Sequence, residues 1–382
     1  MDFGLTEEQE MLRQMVRDFA EKELKPRAQQ ADEEEKLFPE VVRKMAELGL
    51  WGMSIPEEYG GLPLDHLSIA LVLEEVGRAC GGTGLALEAH TCLGTWPIVR
   101  YGTPEQKERF LPRMATGESL GCLALTEPNA GSDLAAARTT AVEDGDEWVI
   151  NGSKAWITNA SLADVIIVFL RTDPGQGSRS FSLILVETDR PGLTIGPREK
   201  KMGLRASPAH SLTFEDVRVP KENLLGERGR GLHQTMAILD SGRVGISALA
   251  VGLAQGAYEE ALRYARERVA FGKPIAEHQA IQFMLADMAT EIHAGRLMTH
   301  YAAWLEDRGE RFTVAASMAK LFTSEMAERV AYRAVQIHGG YGYSREYAVE
   351  RIYRDARLMT IGEGTSEVQR MVIGRNVTQA GA

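Results

Sequence analysis

The alternation of hydrophobic and polar residues predicts helices in the first third of the chain. Apolar residues on the first predicted helix follow the spacing i, i+3, i+4, i+7 of one helical face: Leu12, Met15, Val16 and Phe19. Thr6 and Gln9 match a capping box at its start, and Pro26 is predicted to end or bend it. Helical spacing also covers residues 41–50 and 68–80. This part of the chain is therefore predicted to be all-helical.

The pattern changes near residue 121, where short runs rich in branched and aromatic residues predict strands. These runs cover residues 148–150, 153–158, 165–170, 181–186 and 210–214. The dipeptide Asn151-Gly152 suits a type I′ turn, so the first two runs are predicted to form a hairpin. Long helical patterns return after Gly231, with a loop at 268–274 and a helix that ends at Gly339-Gly340. The predicted fold is mainly α with a central β domain, divided into residues 1–120, 121–230 and 231–382.

Composition and charge are those of an ordinary globular protein. The chain of 382 residues is 44% hydrophobic and 25% charged, and its net charge of −11 argues against a general nucleic-acid binder. No apolar run reaches the roughly 18 to 20 residues of a membrane span. Residues 1–5 lack the basic and apolar regions of a secretory signal, so we expect a cytoplasmic protein or one already processed. Cys80, Cys92 and Cys122 show no metal-ligand spacing; no metal is expected.

A single carboxylate lies at a break between two helical runs near the end of the chain. The helical pattern of residues 352–359 is interrupted at Gly362-Glu363-Gly364 and resumes at Val368. The two glycines permit backbone conformations that other residues avoid and leave space around Glu363 for a flat or bulky ligand. A corner between two helices with a solvated Glu has the same pattern, so the spacing alone leaves both interpretations open.

Two polar segments in the predicted β domain are candidates for ligand binding. Residues 125–133 form a loop of small residues whose N–H groups and hydroxyls suit a heterocycle edge or a phosphate, although a plain turn has a similar composition. In the segment 154–159, Trp156 and Thr158 lie on the same side of a strand because strand side chains alternate. A Trp in a strand usually belongs to the core, which is the alternative.

Five segments, in order along the chain, together resemble those of the acyl-CoA dehydrogenase family. They are residues 125–133, 154–159, the R-x-x-F-G-x-P-I segment 268–275, Q-I-H-G-G at 336–340 and E-G-T-x-x-x-x-R at 363–370. The resemblance covers essentially the whole chain. It implies an amino-terminal helical domain, a β-barrel-like middle domain and a carboxy-terminal helical bundle. It also implies FAD as the cofactor and an acyl-CoA thioester as the substrate.

The reaction implied by this resemblance is the oxidation of a saturated acyl thioester to the trans-2,3-enoyl thioester. Glu363 matches the family's catalytic base, which removes the α-proton while FAD accepts the β-hydride, and its backbone N–H helps to bind the thioester carbonyl. A glutamate covered by flavin and acyl chain is expected to have a raised pKa. Electrons are expected to pass to an electron-transfer flavoprotein. The implied setting is fatty-acid β-oxidation by a homotetramer built as a dimer of dimers.

The resemblance also assigns ligand contacts by position. Residues expected to contact the flavin are Leu123, Leu125, Thr126, Gly131, Ser132, Trp156, Thr158, Thr365 and Glu367. Residues expected to hold the pyrophosphate and adenosine from a neighbouring subunit are Arg268, Phe271 and Gln279, and the second adenosine-side motif adds Gln336 and Gly340. Residues expected to contact the substrate are Ser132, Asp240, Arg243 and Gly364. An interhelix loop and a helix C-cap are the structural alternatives for the two adenosine-side segments.

Three positions depart from the family's pattern. Some subfamilies carry the base on the substrate-facing helix immediately before the Arg, where this chain has Gly242, and this favours Glu363. Gly362 stands where medium- and short-chain relatives often have a bulky aromatic residue. This difference predicts a wider acyl cavity and leaves the preferred chain length open. Glu367 stands where some relatives have Gln at a flavin contact.

Three other functions are also considered. An acyl-CoA oxidase uses the same base and flavin and passes electrons to oxygen, but such chains are usually longer. A dehydrogenase that acts on a carrier-bound acyl group has nearly the same motifs. A DNA-binding flavoprotein relative is expected to carry a basic face, for which the acidic balance gives no sign.

Overall fold

The computed structural model describes residues 4–379 and has the predicted order of helices, strands and helices. The first part contains α1 (Glu7–Phe19), α2 (Ala28–Glu33), α3 (Pro39–Glu47), α4 (His66–Ala79), α5 (Gly81–Glu88), α6 (Trp96–Tyr101) and α7 (Pro104–Ala115). Residues 1–3, within the segment predicted to lack a secretory signal, and residues 380–382 of the last predicted domain lie outside the described residues.

The capping boxes that begin the amino-terminal helices follow from the sequence. The hydroxyl of Thr6 accepts from the Gln9 N–H at 3.2 Å, and the Gln9 side chain accepts from the Thr6 N–H at 3.1 Å. Thr103 and Gln106 repeat this arrangement before α7. Helix α1 ends before Pro26, at Phe19. The chain continues through a wider π-helical turn, Ala20–Leu24, and a 3₁₀ turn, Lys25–Arg27, so Pro26 lies in a bend of the helical path.

The middle of the chain forms one sheet. Its strands are β1 (Leu123–Ala124), β2 (Thr140–Asp144), β3 (Glu147–Thr158), β4 (Val165–Arg171), β5 (Phe181–Glu187), β6 (Leu193–Arg198), β7 (Ala209–Pro220) and β8 (Leu224–Leu225). The order across the sheet is β6-β7-β3-β2-β4-β5-β8, and β1 pairs in parallel with β4. Strands β4 and β5 are buried almost throughout, which explains their continuous apolar sequences.

The hairpin predicted at Asn151-Gly152 is wrong. Strand β3 runs unbroken through this dipeptide, and the turn lies at Gly145, between β2 and β3. Gly152 instead occupies a bulge in the pairing of β3 with β7, and an added Cβ would lie 2.7 Å from Thr139 Cα. The Asn151 side chain bonds to both the backbone and the carboxylate of Asp216, each at 2.9 Å. The dipeptide therefore forms a bulge within a strand and not a turn between two strands.

The last part of the chain is a helical bundle around one central helix. Its elements are α8 (Gly231–Glu267), β9 (Val269–Ala270), β10 (Lys273–Pro274), α9 (Gln279–Asp307), α10 (Thr313–His338), α11 (Ala348–Ala356) and α12 (Ser366–Gln379). The predicted loop at 268–274 is thus a small β9–β10 hairpin. Among the described residues, α8 alone has the length and apolar composition of a membrane span. Because 83% of its most apolar window is buried inside the protein, this is weak evidence for a span and fits a core helix.

Candidate active site

The turn that carries Glu363 has an unusual backbone. Helix α11 ends at Ala356, a 3₁₀ turn follows at Arg357–Thr360, and α12 begins at Ser366. Between them Glu363 has φ +54° and Gly364 has φ +90°. For a residue with a Cβ, the left-handed conformation costs about 1–2 kcal/mol. Strain of this kind persists where the surrounding structure enforces it and is frequent in functional sites.

The Glu363 carboxyl group lies against a glycine of α8. A Cβ added to Gly242 would be 2.5 Å from Glu363 Oε2 and 2.9 Å from a methyl group of Leu93. The absence of a side chain at Gly242 therefore makes the space that the carboxyl group occupies. The sequence singled out this position because it is where other subfamilies carry their base. Here it accommodates the carboxyl group of Glu363.

A second buried acid, Glu88 at the end of α5, faces the same carboxyl group. Glu88 is fully buried, and its carboxyl group lies close enough to that of Glu363 for one proton to be shared between the two acids. Within residues 4–379, no backbone N–H, amide or basic group donates to either Glu88 oxygen or to Glu363 Oε2. A Cβ added to Gly245, one turn along α8 from Gly242, would be 3.1 Å from Glu88 Oε1. Glycines on one face of α8 thus make room for both acids.

The two acids differ in their affinity for a proton. Burial raises the pKa of Glu88 well above its usual range, and the nearby Glu363 charge raises it further. Burial also raises the pKa of Glu363, but the hydrogen bond from Glu88 and the positive charges of Lys320 and Arg243 oppose this increase. Glu88 is therefore the member of the pair that keeps the proton, and Glu363 is the member that ionises more readily.

The predicted flavin loop is fixed to the sheet by a buried ion pair. Lys154 Nζ, on β3, donates to the Leu125 carbonyl at 3.0 Å and to Glu127 Oε1 at 2.9 Å. Glu127 also accepts from the backbone N–H of Arg138 at 2.6 Å and of Thr139 at 2.9 Å. Four hydrogen bonds around two buried side chains hold this part of the loop rigid.

The structure brings the loop next to Trp156. The Ala155 N–H donates to the Thr126 carbonyl at 2.9 Å, which places Thr126 beside the residue that precedes Trp156. A second irregularity of β3, between Lys154 and Ile157, gives Trp156 φ +63° and leaves it 58% exposed. The alternative interpretation, in which Trp156 belongs to the hydrophobic core, is therefore wrong. An exposed flat ring beside a rigid loop suits the face of a heterocycle.

The remaining residues assigned to the flavin and substrate fall into three groups. Leu123 is in β1 and Thr158 ends β3, whereas Gly131 and Ser132 are exposed on the loop. The Thr365 hydroxyl accepts from the Val368 N–H at 3.3 Å and so caps α12. The exposed Glu367 has its pKa lowered by hydrogen bonds from its own backbone N–H and from Thr365 at the helix start.

Asp240 and Arg243 precede and follow Gly242 on α8. Their side chains bond to each other at 2.5 Å, and the Thr313 hydroxyl donates to Asp240 at 2.6 Å. Both side chains are largely buried, and burial raises the pKa of Asp240. Burial lowers the pKa of Arg243, and the negative charges of Asp240 and of the nearby Glu363 partly oppose this decrease. The structure therefore brings Arg243 to the Glu363 pocket.

The adenosine-side residues form a separate, exposed group. The guanidinium of Arg268 lies over the Tyr341 ring, 5.9 Å from its centre, which brings the 268–275 segment beside the Gly339-Gly340 end of α10. Phe271 at the tip of the β9–β10 hairpin is 97% exposed, and Gln279 and Gln336 are also exposed. Within the described chain no hydrogen bond, ion pair or ring contact joins this group to the Glu363 pocket.

Three functional candidates were not predicted: Glu88, Lys320 and Gln369. Glu88 follows the apolar and glycine-rich run of α5, and Lys320 interrupts the small apolar residues of α10. For Glu88 the available signal was a lone charged residue in a short helix that is otherwise apolar or small, because such residues are rarely buried without a partner. Lys320 and Gln369 both contact the backbone of the Glu363 turn.

The fold and the site together define the class: an α–β–α protein in which a buried carboxylate with a raised pKa is presented at a helix break, beside a rigid loop and an exposed Trp. The chain belongs to the acyl-CoA dehydrogenase family. The family models of the N-terminal, middle and C-terminal domains of acyl-CoA dehydrogenases match residues 6–118, 122–217 and 229–378.

Individual relatives are similar over almost their whole length. A probable acyl-CoA dehydrogenase of Bacillus subtilis is 52% identical over 99% of this chain and 100% of its own. The mitochondrial short-chain specific acyl-CoA dehydrogenase of Mus musculus is 48% identical over 98% of this chain and 91% of its own. A chain in the solved structure of the electron transferring flavoprotein of Acidaminococcus fermentans superposes with a TM-score of 0.97 at 45% identity, covering 99% of this chain and 100% of that one.

Proposed function

We propose that the protein is an FAD-dependent dehydrogenase that oxidises a short acyl-CoA thioester to its trans-2,3-enoyl-CoA. The observation that carries this proposal is the buried Glu363 carboxyl group, held against Gly242 with its pKa raised by burial. A carboxylate with a raised pKa is a better acceptor for the weakly acidic proton next to a thioester carbonyl. The short acyl group is supported by the short-chain specificity of the mouse relative.

Each residue of the pocket has a part in this chemistry. Glu363 accepts the α-proton at its carboxylate. When bound, FAD accepts the hydride from the β-carbon. Glu88 keeps its own proton and donates a hydrogen bond to Glu363, so it stabilises the ionised base without competing for the substrate proton. Arg243 and Lys320 add positive charge, which limits the increase in the pKa of Glu363.

The residues present fit an FAD molecule shared between two subunits. Leu125, Thr126, Trp156 and Thr158 are proposed to contact the flavin ring, supported by the rigid loop and the exposed Trp ring. Arg268, Phe271, Gln279, Gln336 and Gly340 are proposed to hold the pyrophosphate and adenosine of a neighbouring subunit's cofactor. Phe271 is 97% exposed at the hairpin tip, which leaves its ring free to pack against a cofactor bound by a neighbouring subunit.

The wider setting is proposed on the same basis. The three domains meet near residues 120 and 230, the assembly is a homotetramer, the compartment is the cytoplasm, and an electron-transfer flavoprotein accepts the electrons. The electron acceptor is supported by the similarity to a chain in the Acidaminococcus flavoprotein structure.

The shared cofactor site is tested at Arg268. Arg268→Ala should lower the ratio of FAD to protein, whereas Arg266→Ala, an exposed Arg two residues earlier, should not. A monomer that keeps full FAD would contradict the shared site.

The decisive experiment is anaerobic mixing of the flavin-loaded protein with acyl-CoA thioesters. Butyryl-CoA should bleach the flavin absorbance, and a panel of straight and branched chains ranks the acyl groups. Glu363→Gln should still bind the thioester but slow bleaching by at least about 10²- to 10⁴-fold, because an amide cannot accept the proton. Glu363→Asp should keep a small residual rate, since a displacement of about 1 Å costs roughly 10²-fold.

A matched control and one further assay complete the design. Glu346→Gln makes the same chemical change at an exposed residue and should bleach at the wild-type rate. Rapid bleaching by Glu363→Gln would assign the base to another carboxylate, and Asp240 on α8 would be tested next. Rapid formation of peroxide in air, at the rate of substrate oxidation, would identify an oxidase instead of a dehydrogenase.

A further inference from the structure

The backbone after Glu363 is held by two buried side chains, Lys320 and Gln369. Lys320 Nζ, from the middle of α10, donates to the Gly364 carbonyl at 2.7 Å. Gln369 Nε2, from the first turns of α12, donates to the carbonyls of Glu363 at 3.2 Å and Gly364 at 3.0 Å. Lys320 is 1% exposed and Gln369 is fully buried. The two peptide groups that follow Glu363 are therefore fixed from two helices at once.

These contacts explain how the strained turn is maintained. Glu363 and Gly364 have positive φ values, and a Cβ at Gly364 would be 2.7 Å from Gln369 Nε2. Gln369 thus closes directly onto the glycine, and the chain cannot relax there without breaking its hydrogen bonds. The direction of the Glu363 side chain depends on the φ and ψ angles of this turn. A loss of either donor would let the carboxyl group move.

Lys320 also contributes charge. Burial lowers the pKa of Lys320 to about 8, while the Glu363 carboxylate raises it, so at neutral pH the ammonium is mainly protonated. Glu363 faces Glu88 from α5, Arg243 from α8, Lys320 from α10 and the neutral thiol of Cys92 from the π-helical segment Ala89–Thr95. Lys320 additionally faces Arg243 and Glu367. Lys320 and Arg243 are the cations of this set.

We propose that Lys320 and Gln369 are positioning residues for Glu363: together they fix the direction of its side chain, and Lys320 alone also favours its ionised form. The proposal rests on the proposed function, in which Glu363 is the base. The two residues allow the effect of geometry to be measured separately from the effect of charge. Gln369 is neutral and acts through geometry only, whereas Lys320 acts through geometry and charge.

The test compares three variants of the flavin-loaded protein: Lys320→Met, Lys320→Arg and Gln369→Met. The readout is the pH dependence of kcat/KM for butyryl-CoA, whose fall at low pH reports protonation of the base in the free enzyme. Lys320→Met should move this fall to higher pH by about one unit, because an opposite charge at close range lowers a carboxyl pKa by about 1–3 units. Lys320→Arg keeps the charge and should retain the wild-type position.

Gln369→Met should lower kcat by roughly tenfold or more through misplacement, without moving the fall in kcat/KM at low pH. Each variant is checked for its melting temperature and its ratio of FAD to protein. The inference is overturned if Lys320→Met has the wild-type pH profile, or if Gln369→Met has the wild-type kcat. Should Lys320→Met not fold, Lys320→Gln also removes the charge, and its pH profile is expected to show the same displacement to higher pH.

The same experiments separate this inference from the proposed function. If Glu363→Gln bleaches the flavin as fast as the wild type, the assignment of the base fails, whatever the positioning variants do. If Glu363→Gln is inactive and both Lys320→Met and Gln369→Met behave as the wild type, only the positioning role fails. Binding of the trans-2-enoyl-CoA product, followed by the flavin spectrum, should be unchanged in all three variants, so the loss should appear in kcat and not in affinity.

Discussion

The side chains of Glu127 and Glu363 are both withdrawn from water, and their surroundings are opposite. Glu127 accepts hydrogen bonds from the backbone N–H groups of Arg138 and Thr139 and from Lys154, and these partners lower its pKa despite burial. Glu363 faces another acid, has one oxygen without a donor among residues 4–379, and its pKa is raised. The first carboxylate is fully paired, while the second is left short of partners.

The difference separates a structural carboxylate from a reactive one. A buried charge that is fully paired keeps its charge and holds the chain around it. A buried carboxylate without enough donors exchanges a proton at a pH nearer to neutrality, which is what a general base requires. Removing the partner of Glu127 should therefore affect stability, and moving Glu363 should affect the reaction.

The largest effect is expected for Lys154→Met, which leaves Glu127 without its cation. Breaking a buried ion pair from one side costs about 3–5 kcal/mol of unfolding free energy. Denaturant unfolding, monitored with and without FAD, measures this loss. The double variant Lys154→Met with Glu127→Gln should recover part of it, because the unpaired charge is removed. A loss below about 1 kcal/mol would show that the pair behaves like an exposed one.

Gly242→Ala should damage the reaction and leave the fold largely intact. Its Cβ would lie 2.5 Å from Glu363 Oε2, so the carboxyl group must move, and a displacement of about 1 Å costs roughly 10²-fold in rate. Anaerobic flavin bleaching measures the rate. Gly374→Ala on α12, where an added Cβ meets nothing within 4 Å, is the matched control and should react at the wild-type rate. Equal rates in both variants would contradict the contact.

Glu88→Gln should change how stability depends on pH. The pKa of Glu88 is raised in the folded protein, so the fold binds a proton that the unfolded chain releases above pH 4.5, its ordinary value. The wild type therefore loses stability as pH rises from that value towards the folded pKa, by about 1.4 kcal/mol for each pH unit between the two values. Glu88→Gln removes this contribution. Unfolding at pH 5 and pH 8 should show a smaller decrease in the variant.

The smallest effect is expected for Gly362→Tyr. A Cβ at Gly362 meets only Leu358, at 3.6 Å, which is an ordinary contact, so a side chain can begin there. The aromatic ring is expected to narrow the acyl cavity and shift the preference towards slim straight chains by about tenfold, the lower end of what one changed apolar contact contributes. The ratio of kcat/KM for butyryl-CoA and a branched thioester measures it. An unchanged ratio would remove Gly362 from the cavity wall.

Local signals in the sequence predicted the elements whose stability is local. The capping box at Thr6 and the break at Gly362-Glu363-Gly364 depend on residues within one turn of each other, and both occur in the structure. The strand at 210–214 was also predicted, although β7 extends from Ala209 to Pro220. The placement of Glu363 could thus be predicted as far as its own turn.

Signals that depend on distant residues were misread or missed. Asn151-Gly152 has the composition of a turn. In the structure it forms a strand bulge, because Thr139 lies close to Gly152 and Asn151 hydrogen-bonds to Asp216. The exposure of Trp156 depends on a second irregularity of the same strand. Glu88 is separated by 275 residues from Glu363 along the chain. No local pattern shows that α8 provides glycines which allow two acids to meet.

Because of the exposed tip of the β9–β10 hairpin, the binding of the cofactor is expected to depend on the concentration of the protein. If Phe271 and Arg268 complete the cofactor site of a neighbouring subunit, each bound FAD favours association, and each association favours FAD binding. Dilution would then release cofactor and subunits together, and an excess of FAD would restore both. Flavin fluorescence, which increases on release, would report the assembly of the protein without any label.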